Sequence, residues 1–246
     1  MARKQNGMRA AYRLTCAVLH LLRGYWIIKT RFTKISQNER ADHVRQWSAQ
    51  LVAILGLELR IIGTPIQSGL FVANHISWLD NVAIHAAHFC RFVAKSDIKS
   101  WPIIGYLTDQ SGMLFVERTS RKDSHRVVQI VAEQLRKGDC VAVFPEGTTG
   151  EGRELLPFHA NMIQSAIDAD SNVQPIAIQF TNTASGEQSF APCFVGEDTL
   201  FQSVWRTLNA KSITVTLQFG TPQTVQSRDR RTWANDLRST IHTMLS

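Results

Sequence analysis

Paired cysteines, long apolar runs and acidic residues near the start are what this 246-residue chain has least of. Its four cysteines, Cys16, Cys90, Cys140 and Cys193, lie far apart. With no paired spacing they signal neither a zinc site nor a disulfide framework, and they fit a reducing compartment. The N-terminal apolar run, Cys16-Ala17-Val18-Leu19 and Leu21-Leu22 around His20, falls far short of the ~20 residues that span a bilayer. No Gly-x-Ser-x-Gly elbow is present to carry a serine nucleophile. No Lys-Ser or Lys-Thr follows Gly147-Thr148-Thr149-Gly150, which excludes a nucleotide P-loop.

Acidic residues are scarcest where cations are densest. Residues 1 to 47 hold ten lysines and arginines against only Glu39 and Asp42, a net +8 that leaves the remaining chain near −1 of the total +7. Nucleic-acid binders carry their basic face on the folded domain, whereas this charge is confined to a leading segment and mixed with apolar residues. The expected partner is an anionic membrane surface, and no nucleic acid. From Met8 to Ile28, Arg9, Arg13 and Arg23 flank the apolar run, while Tyr25 and Trp26 supply rings that settle at headgroup depth. A helix lying in the interface is expected there. The same pattern also suits a helix packed on the protein's own core. A signal peptide is not expected, because no small-residue cleavage site follows Leu22.

What is present is an imidazole and a carboxylate five positions apart. The apolar run Leu70-Phe71-Val72-Ala73 reads as a buried strand that delivers Asn74-His75, and Asp80 follows just before the helical pattern of Val82-Ala83-Ile84. Histidine is the side chain that can take a proton from a hydroxyl near neutral pH, and it works best with an acceptor holding its far nitrogen. His75 is the candidate base and Asp80 its orienting partner. Five residues fit neither one strand face nor one helix face, so the spacing predicts a strand-to-helix junction. Asp80 is equally suited to cap that helix.

Further strands end in chemistry-bearing residues. Arg91-Phe92-Val93-Ala94 runs into Lys95, which could meet an anion or simply be solvated. Gly112 leads into Leu114-Phe115-Val116, with Arg118 at the exit. Its planar fork of donors suits a phosphate or carboxylate, and a salt bridge with Glu117 or Asp123 is the alternative. Cys140-Val141-Ala142-Val143-Phe144 reads as a buried parallel strand breaking at Pro145-Glu146-Gly147-Thr148, where glycine lets the backbone approach a ligand. His85 and His88, three apart, lack a third ligand nearby, so no metal site is expected. His159 reads as a polar residue at a helix start.

Val173 to Ile178 and Ile213 to Phe219 read as later strands, and 228 to 245 as a terminal helix. Strands alternating with helices predict an α/β fold with a mostly parallel central sheet covered by helices, preceded by an N-terminal amphipathic helical membrane-anchoring segment. The expected division is 1–55 for that segment and 56–246 for the catalytic domain.

Four blocks in order resemble the PlsC-like glycerolipid acyltransferase family. They are His75-x4-Asp80; Gly112-x-x-Phe115-x-x-Arg118; Phe144-Pro145-Glu146-Gly147-Thr148; and the proline-bearing strand around Pro175. The resemblance implies a glycerol-3-phosphate acyltransferase-like fold. It also implies transfer of a fatty acyl group from acyl-ACP or acyl-CoA to a lysolipid hydroxyl, with no metal, no separate cofactor and no covalent enzyme intermediate. His75 and Asp80 would be catalytic, and Gly112, Phe115, Arg118, Glu146, Gly147 and Thr148 would bind the acceptor, with Lys95 added from its strand end. The acceptor expected first is 1-acylglycerol 3-phosphate, giving phosphatidic acid, on the cytoplasmic face of a bacterial inner membrane. Many members have arginine after Glu-Gly-Thr, where this chain has Thr149, so lyso-ornithine lipid is the alternative acceptor. A non-catalytic lipid-binding or nucleic-acid-binding module is the alternative of another class, and the intact His75 and Asp80 argue against it.

Overall fold

The computed structural model describes residues 2–116 and 121–246. The described residues form helices and strands in the order α1 (Ala2–Arg31), α2 (Gln37–Ile54), β1 (Leu57–Ile62), β2 (Gly69–Ala73), α3 (Leu79–Ala87), β3 (Arg91–Lys95), α4 (Ile104–Gln110), β4 (Leu114–Val116), α5 (Arg121–Arg136), β5 (Cys140–Val143), α6 (Ile163–Asp168), β6 (Val173–Asn182), α7 (Leu200–Asn209), β7 (Ile213–Phe219) and α8 (Arg230–Leu245); α4 and α7 are not expected from the periodicity. The seven strands form one sheet in the order β1-β7-β6-β2-β5-β3-β4.

Five neighbouring strands, β6 through β4, run parallel, while β7 pairs antiparallel with β6 and parallel with β1. The sheet is therefore mostly parallel, with a reversed pair at one edge. Consecutive β1 and β2 are separated in space by β7 and β6, so residues 63–68 must cross the strand ends. Buried Gln174 holds that crossing: its amide donates to Thr64 O and Gly220 O and accepts from Ile66 N–H, all at 2.8–2.9 Å.

Side chains alternate across the sheet as a strand's two-residue period requires. Phe71, Ala73, Ala142, Ile176 and Ile178 face one core with Leu51, Val52, Leu79 and Ile84 from the helices. Leu70, Val72, Val141, Val143 and Ala177 face the other, packed by Val131, Ile163, Trp233 and Leu237. With both faces covered, β2 and β5 are buried at every position, which is why they read as continuous apolar runs.

The helix expected over Met8 to Ile28 is longer at both ends and does two things. Ala10, Ala17, His20 and Ile28 are buried, while Met8, Tyr12, Leu19, Leu22 and Trp26 stay exposed along the opposite side. Ala10 and Ala17 of α1 and Leu51 and Val52 of α2 share a core with Phe71 and Ala73, so both helices pack on the sheet. Arg9 and Arg13, expected to flank the membrane-facing run, are turned inward onto the carbonyls of Leu208, Asn209 and Ala210. Those carbonyls end α7 and lack helical partners, so a guanidinium there satisfies them. Among the described residues, no helix is long and apolar enough to cross a membrane.

Candidate active site

The site forms where β2 ends. Ala73 is the last ladder residue, and the next side chain, Asn74, continues the pairing: its amide donates to Ile178 O at 3.0 Å and accepts from Ile178 N–H at 2.7 Å. This stops the strand while holding it to β6. Residues 75–78 then turn directly into α3, as the five-residue spacing predicts.

Asp80 lies in the first turn of α3 with no solvent exposure. Its Oδ2 accepts the main-chain N–H groups of Ile76 at 2.7 Å and Ser77 at 2.9 Å, and lies 2.7 Å from Nδ1 of His75. One oxygen thus orients the imidazole and pins the turn that precedes α3; it does not cap the helix, whose N-cap position, Trp78, makes no side-chain cap bond, so the capping alternative is not realised. With Nδ1 committed to the carboxylate, Nε2 is left on the far side of the ring. The His75 side chain keeps 21% of its exposure, which makes that nitrogen reachable.

The ring is also held flat. It stacks on Phe144 at 3.9 Å and 11°, and Phe144 continues onto Phe92 at 5.9 Å and 9°. His75 follows the parity of Phe71 and Ala73, and Phe144 that of Ala142, so the row crosses β2, β5 and β3 on one sheet face. Phe115, opposite Ala94 in the register, lies on that same face one strand further out, beneath the Lys99 ammonium at 5.6 Å.

Glu146, expected at the acceptor, is bonded to the backbone beside His75. It is buried, and its Oε1 accepts the main-chain N–H of His75 at 2.8 Å while Oε2 accepts that of Leu156 at 3.1 Å. Burial raises its pKa, opposed by those two donors. Each oxygen thus holds a main-chain donor, one of them the amide of His75 itself. Gly147 and Thr148 next to it are exposed at the tip of the loop, and Gly147 adopts φ +74° with the His159 ring beside it. His159 N–H donates to Pro145 O at 2.8 Å, closing the same loop.

Gly112 is not brought to this site. It precedes β4, at the edge where the parallel strands begin, whereas His75 stands where they end. There it adopts φ +82°, and its carbonyl accepts from Arg91, whose Nε pairs with Asp139 Oδ2 at 2.7 Å. Lys95 ends β3 on the edge shared with His75. Arg118, expected at the exit of β4, lies outside the described residues.

Some contributors were absent from the sequence reading. The 191–194 segment covers the turn after His75: Ser77 Oγ donates to Pro192 O at 2.6 Å, and Phe194 N–H donates to Ile76 O at 3.1 Å. Thr149 Oγ1 donates to Phe194 O, so the residue after Glu146-Gly147-Thr148 ties this cover to the loop. Asn74 had a signal, since a polar residue ending an apolar run must find partners when buried. The cover had none, because it joins residues 45 to 118 apart.

The acyltransferase family profile matches residues 60–179. The chain is 34% identical to a lyso-ornithine lipid O-acyltransferase of Pseudomonas aeruginosa, over 100% of this chain and 95% of that protein. It is also 34% identical to a 1-acyl-sn-glycerol-3-phosphate acyltransferase of Neisseria gonorrhoeae, over 78% of this chain and 75% of that one. The fold matches the crystal structure of PlsC, the 1-acyl-sn-glycerophosphate acyltransferase of Thermotoga maritima, with a TM-score of 0.76 at 17% identity, covering 100% and 96% of the two chains. The acyltransferase profile, a relative matched over nearly its whole length and a second matched over three quarters of its own place the chain in the PlsC-like family of O-acyltransferases acting on lysolipids.

Proposed function

We propose that the chain acylates 1-acylglycerol 3-phosphate, forming phosphatidic acid, with His75 as the general base. The carrying observation is the Asp80 Oδ2–His75 Nδ1 contact at 2.7 Å, which leaves Nε2 to face the acceptor. His75 Nε2 takes the proton of the acceptor hydroxyl as its oxygen attacks the thioester carbonyl of acyl-ACP or acyl-CoA. Asp80 stabilises the imidazolium that forms. Collapse of the tetrahedral intermediate breaks the C–S bond, and the departing thiolate recovers the proton from His75. The atoms balance without a metal, a further cofactor or an acyl-enzyme.

Lys95 and Arg118 supply the charge for an anionic headgroup, with Gly147 and Thr148 offering the exposed loop tip and Phe115 the apolar wall. The stripe of Met8, Tyr12, Leu19, Leu22 and Trp26 lies on the membrane where the acceptor resides, with exposed Arg23, Lys29, Arg31 and Lys34 on anionic headgroups. A cytoplasm-facing peripheral enzyme of a bacterial inner membrane is the corresponding location.

Lyso-ornithine lipid is the second reading, favoured by the nearly end-to-end relative of that name and by Thr149, whose hydroxyl is spent on Phe194. The test offers both lysolipids to the purified enzyme with acyl-ACP and acyl-CoA and identifies the product. Phosphatidic acid supports the first reading; ornithine lipid alone replaces it.

A further inference from the structure

The sides of α7 differ sharply. Its inner side is pinned: Ser203 Oγ donates to the carbonyls of Pro192 and Cys193 at 3.2 Å and accepts from Trp78 Nε1 at 3.2 Å. Pro192 O is also the acceptor of Ser77 Oγ, so the helix is two hydrogen bonds from the catalytic turn. A capping box between Thr199 and Gln202 fixes its start, and Arg206 binds Asp198 at 2.8 Å. The outer side, on this firmly held helix, carries Phe201 and Trp205, stacked at 6.2 Å and 12° and exposed to 65% and 38%.

Two large rings kept in water on a rigid helix mark a contact surface. Its occupant follows from what adjoins it. Arg9 and Arg13 tie the C-terminal end of α7 to α1, so the helix that carries the aromatic pair is held to the helix that carries the uncovered apolar stripe. Around the stripe the exposed cations Arg23, Lys29, Arg31 and Lys34 face only Glu39 and Asp42 in the first 47 residues. A second copy would bring like charge against like; an anionic bilayer brings the complement. We propose that Phe201 and Trp205 insert into an anionic bilayer surface together with α1, and through Pro192 and Ser77 hold the catalytic turn at headgroup level. The inference rests on the lysolipid reading above and adds to it a second docking element, beside the active site.

The experiment compares wild type, Phe201→Ser and Phe201→Ser/Trp205→Ser by flotation with phosphatidylcholine–phosphatidylglycerol vesicles. Acyl transfer is then measured to a lysolipid embedded in those vesicles and to a short-chain lysolipid free in solution. Flotation and vesicle activity are expected to fall about tenfold or more in the double variant, while activity on the soluble acceptor stays near wild type. Wild type and Phe201→Ser floating equally would overturn the aromatic docking and leave the α1 reading intact. The single variant tests this without depending on the double variant's folding. Wild type failing to float would overturn both. Conversion of a wild-type dimer to monomer by Phe201→Ser, with flotation unchanged, would assign the pair to self-association and overturn the proposal.

Discussion

Asp80 Oδ2 receives three donors, His75 Nδ1 and the N–H groups of Ile76 and Ser77, all within 2.9 Å. Removing the base and removing its partner therefore have different consequences. His75→Ala deletes a side chain whose ring nitrogens serve chemistry, so kcat falls about 10²–10⁴-fold with the melting temperature nearly unchanged. Asp80→Asn loses rate on a similar scale and also replaces charge-assisted bonds to the Ile76 and Ser77 amides by weaker neutral ones, costing about 1–3 kcal/mol. Steady-state kinetics alongside thermal melts separate the two. Normal turnover by His75→Ala removes it as the base.

Gly112 belongs to the Gly-x-x-Phe-x-x-Arg block, yet it supports the strand from the edge opposite His75. An alanine there must hold φ +82°, and its Cβ would stand 2.7 Å from Arg91 Nη1. Gly112→Ala should cost about 1 kcal/mol or more through the left-handed backbone, and Arg91 can swing only by loosening its pair with Asp139. The expected reading is a lower denaturant midpoint with acceptor KM little changed. A raised KM at unchanged stability would return Gly112 to the acceptor.

The junction at His75 was legible because one local rule, an apolar run giving way to a helical pattern, sets both its ends. Strand parity was legible for the same reason, and it places Phe115, Phe144 and His75 on one face. α7 went unread although Thr199 and Gln202 form a capping box three apart, because Phe201 and Trp205 interrupt the polar side that an amphipathic helix normally shows. The reversal of β7 depends on pairing with β6 over some 35 residues, which no local pattern encodes. Glu146 and Gly112 carry motif positions in the sequence, but whether such a residue touches substrate or backbone is decided by contacts across 71 residues for Glu146 and 21 for Gly112. Those contacts arise only in the fold.

His85 shows how acid will act on the core. It is fully buried, Nε2 lies 2.8 Å from Cys90 O, and burial pushes its pKa down to about 4. Because the folded pKa lies below the unfolded one, the stabilisation is present above about pH 6.5 and is lost as pH falls toward 4, by roughly 3 kcal/mol. His85→Gln should flatten that part of the stability–pH curve. Equal slopes in the two proteins between pH 7 and 4 would mean that His85 does not remain neutral.

Glu146 titrates the other way. Burial raises its pKa, so its contribution to stability is greatest in acid and declines as pH rises through the folded value. Its burial disfavours the charged form, and the two main-chain donors it holds favour it. Glutamine can accept from one of them but presents an N–H₂ to the other, leaving the His75 or Leu156 amide without its acceptor. Glu146→Gln is therefore expected to lower kcat about 10²-fold by shifting the imidazole, with little change in acceptor KM. In denaturant unfolding at paired pH values, wild type should gain on the variant between pH 7 and 4, a difference in which the His85 term cancels. A rise in acceptor KM at full kcat would show instead that Glu146 meets the acceptor directly.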